Sequence, residues 1–456
     1  MTLSLVSAAG TSRDIAVIGS GISGVAAAWL LSNKYRVTVY EKDDRMGGHA
    51  KTIEVPGASK EAAVDTGFIA YDERNSPNLV ALLNHLDVQT HLTDMTFAAS
   101  LDDGRFEYSG SNMGGLLAQP RNAVRPRMWM LLRDLQRFYR NVPKAVDLPQ
   151  TQKMTLGDYL RQENYSSTFV HDHLLPVGAA IWSAQTNQML DYPLSIFVRF
   201  FLTHGLFPIY GRPVWRTVLG GSRQYLNRLT DTHRYRVLLN RAVRSVRRLT
   251  DRVLVEDRQG EVQRYDHVVI ATHADQALAM LADPDGAERR LLGRFRYERN
   301  LTLLHSDEGL MPHRRRAWAS RNFMSRGQGE EQKVSVTYWM NRLQQLPTDQ
   351  QLFVSLNPLR QPAQGKILRS YLYEHPVFDR ETIGAQRLLW NLQGVRRTWY
   401  CGAYFGHGFH EDGLQAGLAV AEQLGNLSRP WKLTDPNSHI HCNSLNAGKG
   451  NRERAA

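Results

Sequence analysis

Only two cysteines, Cys401 and Cys442, occur among the 456 residues, which excludes a disulfide framework. With no CxxC pair, neither a structural zinc site nor dithiol chemistry is expected. This usage suits a reducing cytoplasm. Long apolar runs are missing as well. The nearest approach, residues 192–215, is broken by Arg199, His204, Arg212 and three prolines, so no segment is suited to span a bilayer. Residues 1–13 lack a charged region ahead of their short apolar stretch, and no signal peptide is expected there. Negative charge is the scarcer sign: 44 acidic against 56 basic residues leave a formal net charge of +12, a balance that favours an anionic partner. Charge alone leaves nucleic acid, an anionic membrane and an acidic substrate open. The hydrophobic content of 42% argues against a largely disordered chain, and the length favours two domains around a large bound group.

What is present begins with a βαβ pattern. Residues 14–18 (DIAVI) form a β-branched run, GSGISG and the helical VAAAWLLS follow, and residues 36–40 (RVTVY) predict a second strand ending at Glu41. Residues 52–65, with Pro56-Gly57, predict a hairpin. Helices are expected over 78–86, 120–147 and much of 155–203. Strands are expected at 235–239, 242–246, 252–256 and 267–272, and β-type runs in 299–359 predict a second sheet. A strand at 398–403 and a helix at 413–424 complete the pattern, and the polar residues after Pro430 are expected to be disordered.

Gly19-Ser20-Gly21-Ile22-Ser23-Gly24 fits G-x-G-x-x-G between a strand and a helix. The first glycine permits the tight turn, the second lets backbone approach a pyrophosphate, and the third allows close packing of helix on strand. The helix N-terminus attracts the negative charge. Glu41, about 20 residues on, is placed to bind ribose hydroxyls. Arg45, Gly47, Gly48 and His49 follow directly, and a guanidinium beside flexible glycines suits a diphosphate. Together these features favour FAD over NAD.

On these residues the chain resembles the flavin-containing amine oxidase and phytoene desaturase superfamily. Over VDTGFIAYDERNSPNL (64–79), AAIWSA (179–184), LHSDEGLMPHRRRAWAS (304–320), VTYWMNRLQ (336–344), FVSLNP (353–358), EHPVF (374–378) and YCGAYFGHGFHEDGLQAG (400–417), it is similar to bacterial FAD-binding proteins and to the flavin domain of plant cyclopropane-fatty-acyl synthases. The resemblance implies an α/β fold: a Rossmann-like FAD-binding domain (14–85, 215–285 and 396–428) interleaved with a mixed-sheet and helical substrate domain (86–214 and 286–395), then a disordered tail (429–456). It implies that Gly402, Asp412, Gly413 and Leu414 complete the flavin site, with helix amides facing the flavin O2 edge. The expected cofactor set also takes in Ser20, Ser23, Lys42, Gly67, Phe68, Ile69 and Val243. Candidate catalytic groups are Tyr404, His407, His410 and Glu411, which either act on protons or only shape the flavin loop. The lysine and aromatic cage common in amine oxidases do not align here.

The expected function is FAD-dependent dehydrogenation of an unsaturated or methyl-branched fatty acyl chain of a membrane lipid. The alternatives are a flavin amine oxidase, and a flavoprotein accessory to a lipid-modifying methyltransferase. Trp182, Phe197, Phe200, Phe201, Phe207, Tyr338 and Trp339 either line an apolar tunnel or are simple core. His171 and His173 have no third ligand, so no metal site is expected. Arg121, Arg125, Arg127, Arg133, Arg137, Arg140 and Lys144 alternate with apolar and aromatic residues, which suits docking on anionic lipid. No recognition module for nucleic acid accompanies this charge. The protein is therefore expected in the cytoplasm, peripheral on the inner face of the membrane.

Overall fold

The computed structural model describes residues 13–442 except 58–60, 147, 152, 183–187, 204–212, 232–233 and 328–332. The chain is mixed α/β and divides into two units. The first comprises residues Met1–Gly48, Leu226–Phe295 and Gly384–Ala456, the second His49–Tyr225 and Arg296–Ile383.

Unit 1 is built on a five-stranded parallel sheet. Its strands are β1 (Asp14–Ile18), β2 (Arg36–Tyr40), β3 (Arg236–Leu238), β4 (His267–Ile270) and β5 (Thr398–Tyr400), in the order β3-β2-β1-β4-β5. Buried β-branched runs of this kind belong in a sheet covered on both faces. Helix α1 (Ile22–Leu31) leaves the end of β1, and every one of its residues is buried. It packs against α2 (His410–Gly425) through small residues. A Cβ on Gly417 would lie 2.1 Å from the Ser23 carbonyl oxygen, and one on Gly413 2.9 Å from Ile22 Cγ2, so the helices meet only because glycines stand at the crossing.

Unit 2 carries a seven-stranded mixed sheet that includes the predicted runs of 299–359. One edge is Ile367–Val377, an 11-residue strand paired along Arg296–His305. The other is the hairpin of Phe97–Leu101 and Phe106–Ser109, with Phe97–Leu101 parallel to Arg321–Arg326. Phe197 and Phe201 are fully buried, their rings stacked at 4.4 Å. Trp339 packs edge-on to Trp318 and donates its indole N–H to Gln351 Oε1. Phe197, Phe201 and Trp318 are core, and Trp339 packs partly buried against it. Phe207 and the Trp182 side chain lie outside what is described.

The unit boundaries differ from those read in the sequence. Residues 49–85 and 215–225, expected with the cofactor domain, belong to unit 2. The reason is apolar packing: Val55, Ala62 and Val64 of the hairpin Thr52–Val55/Ala62–Asp65 join Leu304, Met340 and Val354 in one core cluster. Residues 286–295 and 384–395 fall in unit 1. The expected tail of residues 429–456 is corrected over its described part, since residues 429–442 pack on unit 1, and residues 443–456 lie outside the described residues. The Trp431 ring stacks on Trp29, Arg429 pairs with Glu422, and His439 Nδ1 pairs with Asp412 Oδ1 at 2.7 Å.

Asp65 ties three parts of unit 2 together. Its carboxylate accepts from Thr52 Oγ1, from Ser222 N and Oγ, and from Gln344 Nε2, while its amide donates to Gln344 Oε1. Full burial raises its pKa from 3.8 to about 6 against these hydrogen bonds. A carboxyl that binds its proton more tightly when folded stabilises the fold most at low pH, and that contribution is lost as pH rises from 3.8 through about 6. The melting temperature of wild type relative to Asp65→Asn should therefore fall across this window. Parallel melting curves of the two proteins would contradict the assignment.

Candidate flavin site

The turn from β1 into α1 has the form the motif requires. Gly19 sits at φ +98°, and a Cβ there would lie 2.8 Å from the Ala271 carbonyl oxygen. A Cβ on Gly24 would stand 1.9 Å from the Gly19 oxygen, so the helix can start this close to the strand only with glycine. Gly21 is different: a Cβ there would meet nothing within 4 Å. No side chain caps the helix that Gly21 opens, which leaves the orphan first-turn amides beside open space. A pyrophosphate fits there, its charge met by backbone N–H groups and the helix dipole.

Glu41 follows β2 directly, beside this turn. One carboxylate oxygen accepts from Ser20 N at 2.9 Å and Ser20 Oγ at 2.5 Å, the other from Asp43 N at 3.0 Å. Since a carboxylate offers about four acceptor sites, Glu41 positions the glycine turn and retains capacity for one further donor, such as a ribose hydroxyl. The Arg45 guanidinium folds back onto its own loop, donating to the carbonyls of Met46 and Gly48. It shapes the loop that carries Gly47 at φ +109° and Gly48 at φ +55°, and the Gly47 amide bonds Ser20 O at 3.0 Å. Lys42 is exposed. Val243 opens the strand Val243–Arg248, two residues beyond Arg241, whose amide bonds the Glu41 carbonyl.

His49, Gly67, Phe68 and Ile69 belong to unit 2. There the Phe68 amide donates to His49 O at 2.8 Å, and a Cβ on Gly67 would lie 2.2 Å from that oxygen. The His49 ring stacks on Tyr373. In unit 1 the structure brings together Gly19 to Gly24, Glu41, Gly47, Gly48 and the start of α2.

The closing motif is a loop held by polar ties. Asp412 Oδ2 accepts from the amides of His407 and Phe409, both at 2.8 Å, and Oδ1 takes His439. Asp412 is thus a brace for residues 407–409. Burial works against its ionisation, but His439, His407 and the Phe409 amide outweigh it and hold the carboxyl below its usual range. Gln386 Nε2 bonds the carbonyls of Tyr404 and Gly406. Gln386 and His439 were missed from sequence, where neither falls in a motif. Gly402 and the fully buried Leu414 stand on either side of this loop.

The candidate catalytic groups divide by environment. Tyr404 is buried against Phe295 and Phe405, which makes it a packing residue first. The buried Glu411 accepts from Gln415 Nε2 at 2.9 Å. Burial lowers His407, an effect that Asp412 partly opposes, and burial alone takes His410 down to about 3. His410 is therefore neutral throughout the physiological range and carries no proton to donate as imidazolium. Substituting His410→Gln should change the rate of flavin reduction without removing a limb from its pH profile between about pH 5 and 8. Loss of such a limb in stopped-flow traces would contradict this reading.

Comparison with known proteins agrees with this geometry. A family model described as flavin containing amine oxidoreductase matches residues 22–395. An all-trans-zeta-carotene desaturase of Myxococcus xanthus is 45% identical over 64 residues, which is 14% of this chain and 12% of that protein. An FAD-dependent oxidoreductase of Emericella nidulans, dbaF, is 34% identical over 88 residues, 19% of this chain and 18% of that protein. The chain thus aligns with less than a fifth of the length of either relative. In fold, it is similar to a CLA-producing fatty acid isomerase from P. acnes, with a TM-score of 0.64 at 13% identity over 92% of this chain and 99% of that one. With most of its length matched by the family model, the chain belongs to the flavin-containing amine oxidoreductase family.

Proposed function

We propose that the protein dehydrogenates an unsaturated or methyl-branched fatty acyl chain of a membrane lipid. The observation that carries this reading is the chemistry of the closing loop. His410 is held neutral, Tyr404 is packed among phenylalanines, and Glu411 and Asp412 are tied to protein donors. In such a loop the Asp412 charge is met by protein donors and is not left for a substrate, which suits a hydrocarbon better than an ammonium group. Bound FAD would supply an acceptor for one hydride from carbon, which carries both electrons, while a proton leaves separately. The chain's own part is to fix the cofactor at Gly19 to Gly24 and Glu41, and to hold the loop of residues 407–409 through Asp412. An activated allylic carbon that loses hydride needs only a weak proton acceptor, such as a neutral histidine or water.

The likeness to a carotene desaturase over a short segment supports a hydrocarbon substrate, and the fold shared with a fatty acid isomerase is compatible with an acyl chain. No described helix is long and apolar enough to cross a membrane, so a lipid substrate would be reached from the surface. Anaerobic mixing of the flavin-loaded protein with acyl lipids is expected to bleach the oxidised-flavin absorbance, with a new double bond appearing in the recovered lipid. Bleaching by a panel of amines and by no acyl lipid would assign the protein to amine oxidation instead.

A further inference from the structure

Residues 120–145 of unit 2, which form the turn Pro120–Val124, Arg125 and the helix Pro126–Ala145, carry seven basic side chains and one acidic one. The acidic residue, Asp134, is fully buried. Not all of the cations are available. Arg127 is bound to Asp172 and Asp102, with its guanidinium 4.6 Å over the Phe106 ring. Arg137 donates to the carbonyls of Glu163 and Asn164 and lies 3.9 Å over Tyr165. These two arginines fasten the helix to its own unit. Arg133, Arg140 and Lys144 are exposed, with Arg133 also paired to Asp134 at 3.1 Å, and with Trp129 and Gln136 their spacing of three and four residues sets them on one stripe. The opposite stripe, Met128, Leu131, Phe138 and Val142, is core.

Exposed apolar groups that core packing does not explain stand on this helix and on the turn before it. Val124 is 81% exposed and Trp129 58%. The Trp129 indole is held there, because its N–H donates to the Ala123 carbonyl at 2.8 Å. The short helix Met113–Leu116 is joined to this turn by Asn122 Nδ2 on Leu116 O, and its Met113 is 70% exposed. Arg121 and Arg125 flank the group, both donating to Arg105 O. The local potential is positive: Arg125 is lowered from its ordinary value by desolvation and then by Arg121 and Arg127.

We propose that this face docks on anionic phospholipid, with Val124, Met113 and Trp129 entering the headgroup layer and Arg133, Arg140 and Lys144 lying over lipid phosphates. Charge complementarity selects an anionic partner. Exposed valine and methionine gain from the acyl boundary and nothing from a nucleic-acid backbone, while a tryptophan is at home where one side is wet and the other apolar. The inference deepens the lipid reading of the flavin site and rests on it for the nature of the surface. It names the face by which the protein would reach an acyl chain.

The test is co-sedimentation of the flavin-loaded full chain with vesicles of phosphatidylglycerol in phosphatidylcholine, against phosphatidylcholine alone. Binding is expected only to the anionic vesicles and should weaken with added salt. The variant Arg140→Glu/Lys144→Glu should lose about a hundredfold in affinity at low salt, and Val124→Ser/Trp129→Ser should lose about tenfold while keeping its salt dependence. The four positions are exposed, so flavin content and melting temperature should stay at wild-type values. Equal binding to neutral vesicles, wild-type affinity in the charge-reversed variant, or binding to duplex DNA or an acidic protein with none to vesicles would each overturn the proposal. Docking is read without turnover. Vesicle binding with no flavin bleaching by lipid would therefore retain the surface and remove the substrate reading, and bleaching by dispersed lipid without vesicle binding would do the reverse.

Discussion

Replacing Gly21 by valine should yield a folded protein that has lost its flavin. The backbone at Gly21 is extended, with φ −63° and ψ 174°, a conformation open to any residue. A Cβ there would meet no protein atom within 4 Å. The apo-fold should therefore lose no more than about 1 kcal/mol, the scale of a poorer N-cap. The added methyls would occupy the space beside the α1 amides, where the pyrophosphate must approach backbone. Overpacking of this kind costs about 1–3 kcal/mol, and its upper end is about a hundredfold in affinity. Gly24→Val is the contrasting variant, since a Cβ there would collide with Gly19 O at 1.9 Å and touch Ala271 Cβ at 3.0 Å. It should lose flavin and stability together. The measurements are flavin absorbance of the purified protein and the melting temperature of the apo-form. Wild-type FAD affinity in Gly21→Val would mean that the phosphates lie elsewhere.

The parts of this site that sequence revealed are those with a local signature. The glycine turn was legible because three glycines at fixed spacing fell between a β-branched run and an apolar helix, and β1, α1 and β2 follow that reading. Glu41 was legible by position, but its three protein donors were not. The hairpin Phe97–Leu101/Phe106–Ser109 escaped because its strands are short, and its burial comes from packing on Met128, Leu131 and Phe323. The strand Ile367–Val377 has no buried residue and contains Pro376, so it lacks the alternation that would announce it. Residues 429–442 look structureless because their contacts are single anchors, Arg429, Trp431 and His439, spaced without period. Long-range polar ties were the least visible. Asp65 and Gln344 are 279 positions apart, and no local pattern marks either as the partner of the other.

The ion cluster around Arg248 is the most consequential of these hidden ties, and Arg248→Met should destabilise the protein by about 3–5 kcal/mol. The Arg248 side chain is fully buried. It donates to Glu288 Oε1 at 2.6 Å and Oε2 at 3.0 Å, and to Asp283 Oδ1 and O at 2.7 Å. Glu288 also accepts from Tyr400 Oη at 2.7 Å and from the Asp285 amide, closing the cap of the helix Gly286–Leu292. Three elements therefore meet on one charge: the strand Val243–Arg248, that helix, and β5, which leads into the flavin loop. Burial raises the Glu288 carboxyl, yet hydrogen bonds from Arg248 and Tyr400 outweigh it and leave it below its ordinary 4.5. With the folded value depressed, the stabilisation is complete above about pH 4.5 and is lost as pH falls through the folded pKa. Without the guanidinium, burial dominates, the folded value rises above 4.5, and the variant should instead lose stability as pH rises through that higher value. Changing Glu288→Met in the same chain removes the orphaned charge and should recover most of the loss. Denaturant midpoints of the two variants and the wild type across the acid range decide the matter. A single Arg248→Met protein as stable as wild type, with an unchanged pH slope, would show that the cluster contributes no net stability.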